Sequence, residues 1–502
     1  MAKKIVKRVV APRRGKEPDL EKGAVDKIKQ VHLEDAADRE YYEYGVAVIE
    51  DRAIFGSLDG LKPVLRRVLW ATHKLGLHSG AKPDKSAKAV GETLGNYHPH
   101  GDKACYDAIV NAVSNVPIPM VYGEGNWGTM TENAAAMRYT NMRLSKYADL
   151  IFFDKFYLPT MSYVPNYDGS RQEPLVLPAL LPNALLNGNF GIAPGVNTRS
   201  PTFTLESVLA VLKEAIANKN VCTPEMCMKL EFSTPHGGKA VRTKANRAEF
   251  LNFFKTGKGR VKFVSTHSAP DSNNSIRFDE FAPIANMEGA MLKIEELKGV
   301  IATRDDSDKK DKHQTAFVVT FAKNLRGADL TRVIGQVNEA LSTTYTFDVK
   351  VTDRFVKKDG TAGAKLRPTT VPELINFWLA YRVELEKHAC QYWIKERTKD
   401  IAYLQLMRLA ISKLDVIIAH VKNKNLDDAG LVKAVSRDLK ITDEQTNQIL
   451  ARNLRQLRHL EDEKLIEQIK NIEKEKASYE VRLKRPSAYI AKHLDELQAK
   501  IK

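Results

Sequence analysis

From Val371 onward the chain repeats apolar side chains at three- and four-residue intervals, at Leu374, Phe377, Tyr381 and Leu385, and does so again at Leu465, Ile469, Ile472, Tyr479 and Leu483. That spacing follows one face of an α-helix. The residues between are mostly charged, so each apolar stripe is narrow and needs a partner to cover it. Two long amphipathic helices with short helical pieces between them predict an antiparallel coiled coil with a small helical head. An ordinary helical bundle has the same period, and periodicity does not separate the two.

Upstream the character changes. Between about Met161 and Arg367, runs such as Ala316–Phe321 and Phe347–Val351 predict strands, whereas Leu205–Ala217 and Leu330–Leu341 predict helices. Before about Thr160 the pattern is helical at Glu40–Ile49, Leu61–Leu75 and Asp107–Val113, with Pro63 in a first turn where proline is tolerated. Gly123, Gly125 and Gly128 mark one glycine-rich excursion in that region. Met1 to about Lys29 is rich in Lys and Arg with Pro12, Gly15 and Pro18, which fits either a basic arm on DNA phosphates or a solvated tail. The expected fold is mixed α/β and helix-rich.

Composition narrows the partners. The chain has 502 residues, 43% hydrophobic and 28% charged, as a soluble globular protein with a large core does. No apolar run is long enough to cross a bilayer, and the basic start lacks a secretory core, so no membrane partner and a cytoplasmic location are expected. The four cysteines are scattered; Cys222 and Cys227 resemble half a metal site without its second half, and reduced thiols are expected. A formal charge of +16 fits a polyanionic partner, nucleic acid foremost, or a merely basic protein. No GxxxxGK[ST] loop is present, so ATP hydrolysis is not expected of this chain.

Three segments carry candidate chemistry. Asp59 to Arg67 places Lys62, Arg66 and Arg67 at a helix entrance, where cations and helix N–H groups favour phosphate. Gly95 to Asp102 sets His98 and His100 around Pro99, with Gly101 permitting a tight turn; metal ligation, phosphate contact, proton transfer and a plain structural turn all fit. Ala134 to Thr140 puts Arg138 beside Tyr139. A tyrosine hydroxyl ionises near pH 10, so it is a poor nucleophile unless something stabilises the phenolate, as an adjacent guanidinium does.

In order and spacing these segments resemble the breakage-reunion subunit of bacterial DNA gyrase and topoisomerase IV, and the medium subunit of phage type II topoisomerases. The resemblance rests on Asp51–Ala53, Asp59–Arg67, Lys85–Ala87, Tyr97–Asp102, Gly123–Gly128, Ala134–Tyr139, Arg143–Leu144, Asn166–Gly169, Leu181–Asn183, Asn187–Ala193, Thr256–Val261 and Arg304–Lys309. It implies a type IIA topoisomerase with a basic arm (residues 1–31), a winged-helix domain (32–160), a tower domain (161–367) and a coiled coil ending in a C-gate dimer interface (368–502).

The same resemblance implies roles. Tyr139 would attack a backbone phosphate and form a 5′-phosphotyrosyl bond, with Arg138 stabilising the pentavalent phosphorus and Arg52 and His100 near the scissile phosphate. Lys62, Arg66, Arg67 and His98 would hold the DNA backbone, with Lys103 beside them. Ile192 would be an apolar wedge that bends the duplex, although a buried core isoleucine fits its sequence too. Mg2+ and ATP would be bound by a partner subunit carrying TOPRIM and ATPase domains, and no metal site is expected here. Two copies of each chain would form a heterotetramer that relaxes and decatenates double-stranded DNA.

The sequence also departs from the family. Leu65 stands where cellular members usually have histidine, and Lys103 where a serine helps anchor quinolones; weak quinolone sensitivity is expected. No segment matches the wrapping domain of gyrase, so negative supercoiling is not expected. A phage or mobile-element origin fits these departures. The alternatives are a catalytically inactive DNA-bending architectural protein of the same fold and a basic helical scaffold.

Overall fold

A computed structural model describes residues 33–307, 315–423, 425–451 and 462–501. The basic arm of residues 1–31 lies outside them, as do Asp308 and Lys309 of the Arg304–Lys309 segment. The chain divides into two compact units, Met1–Phe153 with Ser162–Trp378, and Asp154–Met161 with Leu379–Lys502.

The first unit opens with α1 (Leu33–Val48), which runs into a short π-helical turn, Ile49–Ala53. Lys62 is extended because a residue before proline is pushed out of the helical region, and Pro63 then begins α2 (Pro63–Lys74) where no N–H is needed. β1 (Asp84–Lys85) leads into α3 (Ser86–Asn96) and α4 (Asp102–Ser114), and both helices pack on α2. β2 (Val121–Glu124) and β3 (Asn141–Leu144) pair antiparallel, Val121 opposite Leu144 and Glu124 opposite Asn141, with β1 on the other edge of β3. α5 (Lys146–Phe152) starts where the Ser145 hydroxyl accepts the N–H of Ala148.

The region is helical and the glycine-rich excursion is a loop, with Gly125 and Gly128 between β2 and β3; what was not expected is the strand pair that carries it. Strands of four residues are too short to show an alternation that would reveal them.

Further along come β4 (Tyr163–Pro165), β5 (Gln172–Pro174), α6 (Asn183–Leu186), β6 (Asn189–Ala193), β7 (Val196–Ser200), α7 (Leu205–Ala217) and α8 (Pro224–Cys227). Then follow β8 (Lys239–Ala240), α9 (Arg247–Thr256), β9 (Lys258–Val264), β10 (Thr266–His267), β11 (Ser275–Glu280), α10 (Met287–Glu295), β12 (Val300–Asp305), β13 (Phe317–Phe321), α11 (Gly327–Ala340) and β14 (Ser342–Asp348). A five-stranded sheet runs β6-β7-β14-β9-β8, and a four-stranded sheet runs β10-β11-β13-β12. Alternate residues of β11 and β13, including Ile276, Phe278, Phe317, Val319 and Phe321, bury against Ile294 of α10 and Val333 and Val337 of α11.

The single strand expected at Phe347–Val351 is two. β14 ends at Asp348 opposite Lys258, and β15 (Lys350–Val356) pairs with β16 (Ala362–Pro368). Buried Val349 is the hinge: its N–H bonds the Gly257 carbonyl and its own carbonyl accepts from Thr369. An unbroken run of β-favouring residues hides this change of sheet.

α12 (Val371–Ser412) continues for 42 residues. In the second unit it is followed by α13 (Leu414–Lys422), α14 (Asp428–Leu439), α15 (Asp443–Leu450), α16 (Asp462–Lys484) and α17 (Pro486–Ile501). Glu386 pairs with Arg482, Arg397 with Glu475 and Arg408 with Asp462, so α12 and α16 run antiparallel. Leu406, Met407 and Ala410 close with Ile417, Val435, Leu439, Ile449 and Leu465 over the short helices.

Candidate functional site

Tyr139 sits at the end of the loop between β2 and β3. It is 64% exposed, so the residue is open to solvent. The Arg138 guanidinium carbon lies 4.6 Å from the ring centroid, a cation–π contact that holds a positive charge beside the phenol. The next residue, Thr140, is fully buried. Its hydroxyl meets Ser86 Oγ of α3 at 2.8 Å and the Tyr106 hydroxyl of α4 at 3.0 Å. Tyr106 also donates to the Ala135 carbonyl at 2.6 Å, and Tyr139 N–H closes a turn on Ala136. An exposed nucleophile candidate is thus carried on a turn pinned from beneath. Sequence reasoning missed Ser86, Tyr106 and Thr140, because a hydroxyl network between separate elements leaves no local motif.

The two histidines lie between α3 and α4, at a bend where Gly101 takes a φ of +103° that an L side chain rarely adopts. His98 is buried and His100 exposed, with ring centroids 5.0 Å apart, edge to face. Arg67 Nη1 donates to His98 Nδ1 at 3.2 Å. A guanidinium has no acceptor, so Nδ1 is unprotonated and the neutral ring carries its proton on Nε2. Burial, then the charges of Arg67, His100 and Arg52, lower the His98 pKa to about 4. His98 is therefore a fixed neutral donor near pH 7 rather than a stored cation. The same electrostatics place Arg52, Arg67, His98 and His100 in one cluster.

Beneath it the three cations of the Asp59–Arg67 segment separate into different roles. Arg66 is corrected from a backbone-holding residue to a structural one. It is buried, its Nε and Nη2 bond the fully buried Asp59 carboxylate at 2.6 and 2.9 Å, and Nη2 also bonds the Leu61 carbonyl at 2.9 Å. Arg67 grips Glu173 with two bonds of 2.8 Å. Burial works against its charge, and the Glu173 carboxylate more than offsets that, so its pKa is raised. Lys62 stays half exposed, donating to the Phe190 carbonyl at 2.7 Å, and burial lowers its pKa. Arg354, on β15, lies among the same charges and is lowered to about 10 by burial and by Arg66. The Arg66, Arg67 and Arg354 guanidiniums thus stand around the Asp59 and Glu173 carboxylates, with Asp51 a third negative charge acting on Arg67 and Arg354. Lys103 is exposed on the first turn of α4.

Ile192 projects from β6 with 67% of its surface exposed, as does Phe190 on the same face, which excludes the core reading. Gly191 between them faces the other way. A Cβ there would lie 2.0 Å from the Ala53 carbonyl oxygen, so only glycine lets the β6–β7 hairpin lie against the turn that carries Arg52. Arg199 stacks on Phe190 at 4.4 Å and on Tyr345 at 3.8 Å. Arg52, Lys62, Leu65, Phe190 and Arg199 line one cavity of about 660 Å³.

Among the described residues no three His, Cys, Asp or Glu side chains converge to hold a metal ion. The histidine pair is a poor start for one, since Arg67 and Arg52 already crowd it with positive charge. Cys222 and Cys227, buried with Sγ atoms 3.5 Å apart, gain no further ligand of that kind. Nor is any helix among the described residues long and apolar enough to cross a membrane.

The family model for the A subunit of DNA gyrase/topoisomerase IV matches residues 52–498, which includes every site residue named above. The A subunit of DNA topoisomerase 4 from Escherichia coli K12 is 30% identical over 459 residues, covering 90% of this chain and 59% of the relative. The A subunit of DNA gyrase from Helicobacter pylori 26695 is 30% identical over 460 residues, covering 89% and 53%. The A subunit of DNA topoisomerase 4 from Pseudomonas aeruginosa is 28% identical over 456 residues, covering 88% and 57%. The chain therefore spans somewhat over half the length of these relatives. A match that begins at Arg52 and continues to residue 498 covers the cation cluster, the tyrosine loop and the helical region together, and the chain belongs to the family of DNA gyrase and topoisomerase IV A subunits.

Proposed function

We propose that this chain is the DNA-cleaving and rejoining subunit of a type IIA topoisomerase, with Tyr139 as the nucleophile. The observation that carries it is an exposed tyrosine, flanked by Arg138, on a turn anchored by buried Thr140. The Tyr139 oxygen attacks a backbone phosphorus, the bond from phosphorus to the 3′ oxygen breaks, and a 5′-phosphotyrosyl ester forms. The phenol gives up its proton and the departing 3′ oxygen gains one. The ester keeps the bond's free energy, so the reverse attack by the 3′-hydroxyl reseals the strand. Arg138 stabilises the phenolate and the charge on the pentavalent phosphorus. Arg52 and His100 border the scissile phosphate, and His98 donates from Nε2. Lys62, Arg67 and Lys103 contribute positive potential for the backbone. Ile192 enters a base step and bends the duplex, at a cost of a few kcal/mol offset by wider contact.

In this reading, which rests on the family resemblance, Mg2+ and ATP are bound by a partner with TOPRIM and ATPase domains. The partner supplies the metal that promotes cleavage, and two copies of each chain form the working heterotetramer, joined through a C-gate. The tyrosine-bearing region acts as a winged-helix domain, the sheets as a tower, and the antiparallel α12 and α16 as a coiled coil. Relaxation and decatenation are the expected outputs.

The test mixes the chain with its partner subunit, Mg2+ and plasmid, then traps with detergent. Protein on 5′ DNA ends is expected, lost in Tyr139→Phe with DNA binding retained. Bent but uncut DNA from the native chain would favour the architectural alternative.

A further inference from the structure

The Arg304–Lys309 segment has no part in the chemistry above, yet its described residues touch the tyrosine loop. The loop between β2 and β3 is held by its strand stem and, near Tyr139, by Ser86, Tyr106 and Thr140. Its far tip is held elsewhere. Thr131 Oγ1 donates to Asp305 Oδ2 at 2.8 Å, at the end of β12. Met130 N–H donates to the buried Thr315 hydroxyl at 3.4 Å, and the Met130 side chain packs against the core formed by β11, β13, α10 and α11. The anchor itself is hydrogen-bonded. Asp305 accepts the Ser307 N–H at 2.9 Å and the Ser307 hydroxyl, while neighbouring Asp306 pairs with Arg277 and, at 3.2 Å, with Arg304. Burial acts to raise the Asp305 pKa, and the hydrogen bonds from Ser307 and Thr131 outweigh it, so the carboxylate stays charged.

Resting on the reading of Tyr139 above, we propose that Asp305 is a positioning residue which, through Thr131 and beside the Met130 anchor, fixes the loop that aims Tyr139. An exposed nucleophile on a long connection has many orientations, and only a narrow set lies in line with a phosphorus. Tying the tip to a separate sheet removes much of that freedom before DNA arrives. The latch also couples the four-stranded sheet to the position of the tyrosine, so a displacement of β12 is transmitted to the cleavage turn.

The experiment uses the full chain reconstituted with its partner subunit and measures adduct formation on saturating DNA together with DNA affinity. Thr131→Val removes the donor, together with the 3.1 Å contact of the Thr131 hydroxyl to Thr129 Oγ1, and keeps the shape. Adduct formation is expected to slow up to about tenfold, the worth of one hydrogen bond, with affinity changed by less than about twofold. Thr131→Ser should restore the rate. Combining Thr131→Val with Asp305→Ala should slow it no further than the slower single variant, because each removes the Thr131–Asp305 hydrogen bond. A Thr131→Val chain that cleaves at the native rate, a serine variant without rescue, or additive losses would overturn the latch alone. A native chain that forms no adduct would overturn the reading of Tyr139 and the latch with it.

Discussion

The molecule contains two arginine networks built from the same parts and put to different ends. In the first unit Arg66, Arg67 and Arg354 surround Asp59 and Glu173, with His98 held neutral beside Arg67. In the second, Arg382 and Arg482 share Glu386, Tyr157 donates to the same carboxylate at 2.7 Å, and Arg382 donates to His493 Nδ1 at 3.1 Å. In each, the histidine has its pKa lowered to about 4, by burial first and by the adjacent guanidinium next. What differs is the lid. Arg482 is stacked on Phe156 at 4.1 Å and on Tyr489 at 3.9 Å, so its charge ends in aromatic rings. Above the first network lie exposed His100, Arg52 and half-exposed Lys62. If the first network serves DNA, as proposed, its cations act through this opening to solvent, which the second network lacks.

The largest effect expected from breaking this comparison is at Glu386. Glu386→Gln leaves buried Arg382 and half-buried Arg482 without their carboxylate, and loss of one partner from a buried ion pair costs about 3–5 kcal/mol. Denaturant unfolding of the full chain should show a loss of that order, while DNA affinity of the folded fraction stays unchanged. Glu173→Gln should cost less, about 2 kcal/mol, since Arg67 keeps the His98 contact and reaches solvent. Its distinctive effect is on DNA: removing a negative charge beneath the open network should tighten binding and steepen its salt dependence. Equal DNA responses in the two variants would show that the opening does not matter.

Acid should unfold both networks by a shared route. The unfolded histidines take up protons near pH 6.5 and the folded ones near pH 4. Between those values the unfolded chain binds more protons, so stability is lost as pH falls from about 6.5 to about 4 and the loss is complete below that. Each histidine should account for about 2 kcal/mol of it. His98→Gln and His493→Gln should each flatten part of the pH profile of unfolding. His98→Gln should also weaken DNA cleavage, and His493→Gln should not.

These networks also mark where the sequence was legible. Pro63, the Leu205–Ala217 period and the stripes after Val371 announce helices because their signals are local. Arg138–Tyr139 and the histidine pair were legible as short motifs. Arg66 was misassigned because a cation at a helix entrance looks the same whether it faces phosphate or a carboxylate seven residues back. Glu173, Thr140 and Asp305 gave no sign of their roles, since each acts on a residue distant in sequence. Tertiary partners of single side chains carry no period.

The smallest stability effect tests the comparison from the exposed side. If exposed residues above the first network serve DNA and buried ones serve the fold, Ile192→Ala should barely alter folding. Ile192 is 67% exposed and loses little packing, so its thermal unfolding should change by less than about 0.5 kcal/mol. Its pairing with Asn197 uses the backbone and survives the change. DNA bending, read by end-to-end energy transfer on a labelled duplex, should nevertheless fall, because alanine cannot fill an opened base step. Ile490→Ala is the matched control, 1% exposed in the second unit, and should cost about 2–4 kcal/mol with bending per folded molecule unchanged. Should Ile192→Ala bend DNA as the native chain does, the exposed β6 face has no wedge. The binding potential would then belong to the cation cluster alone.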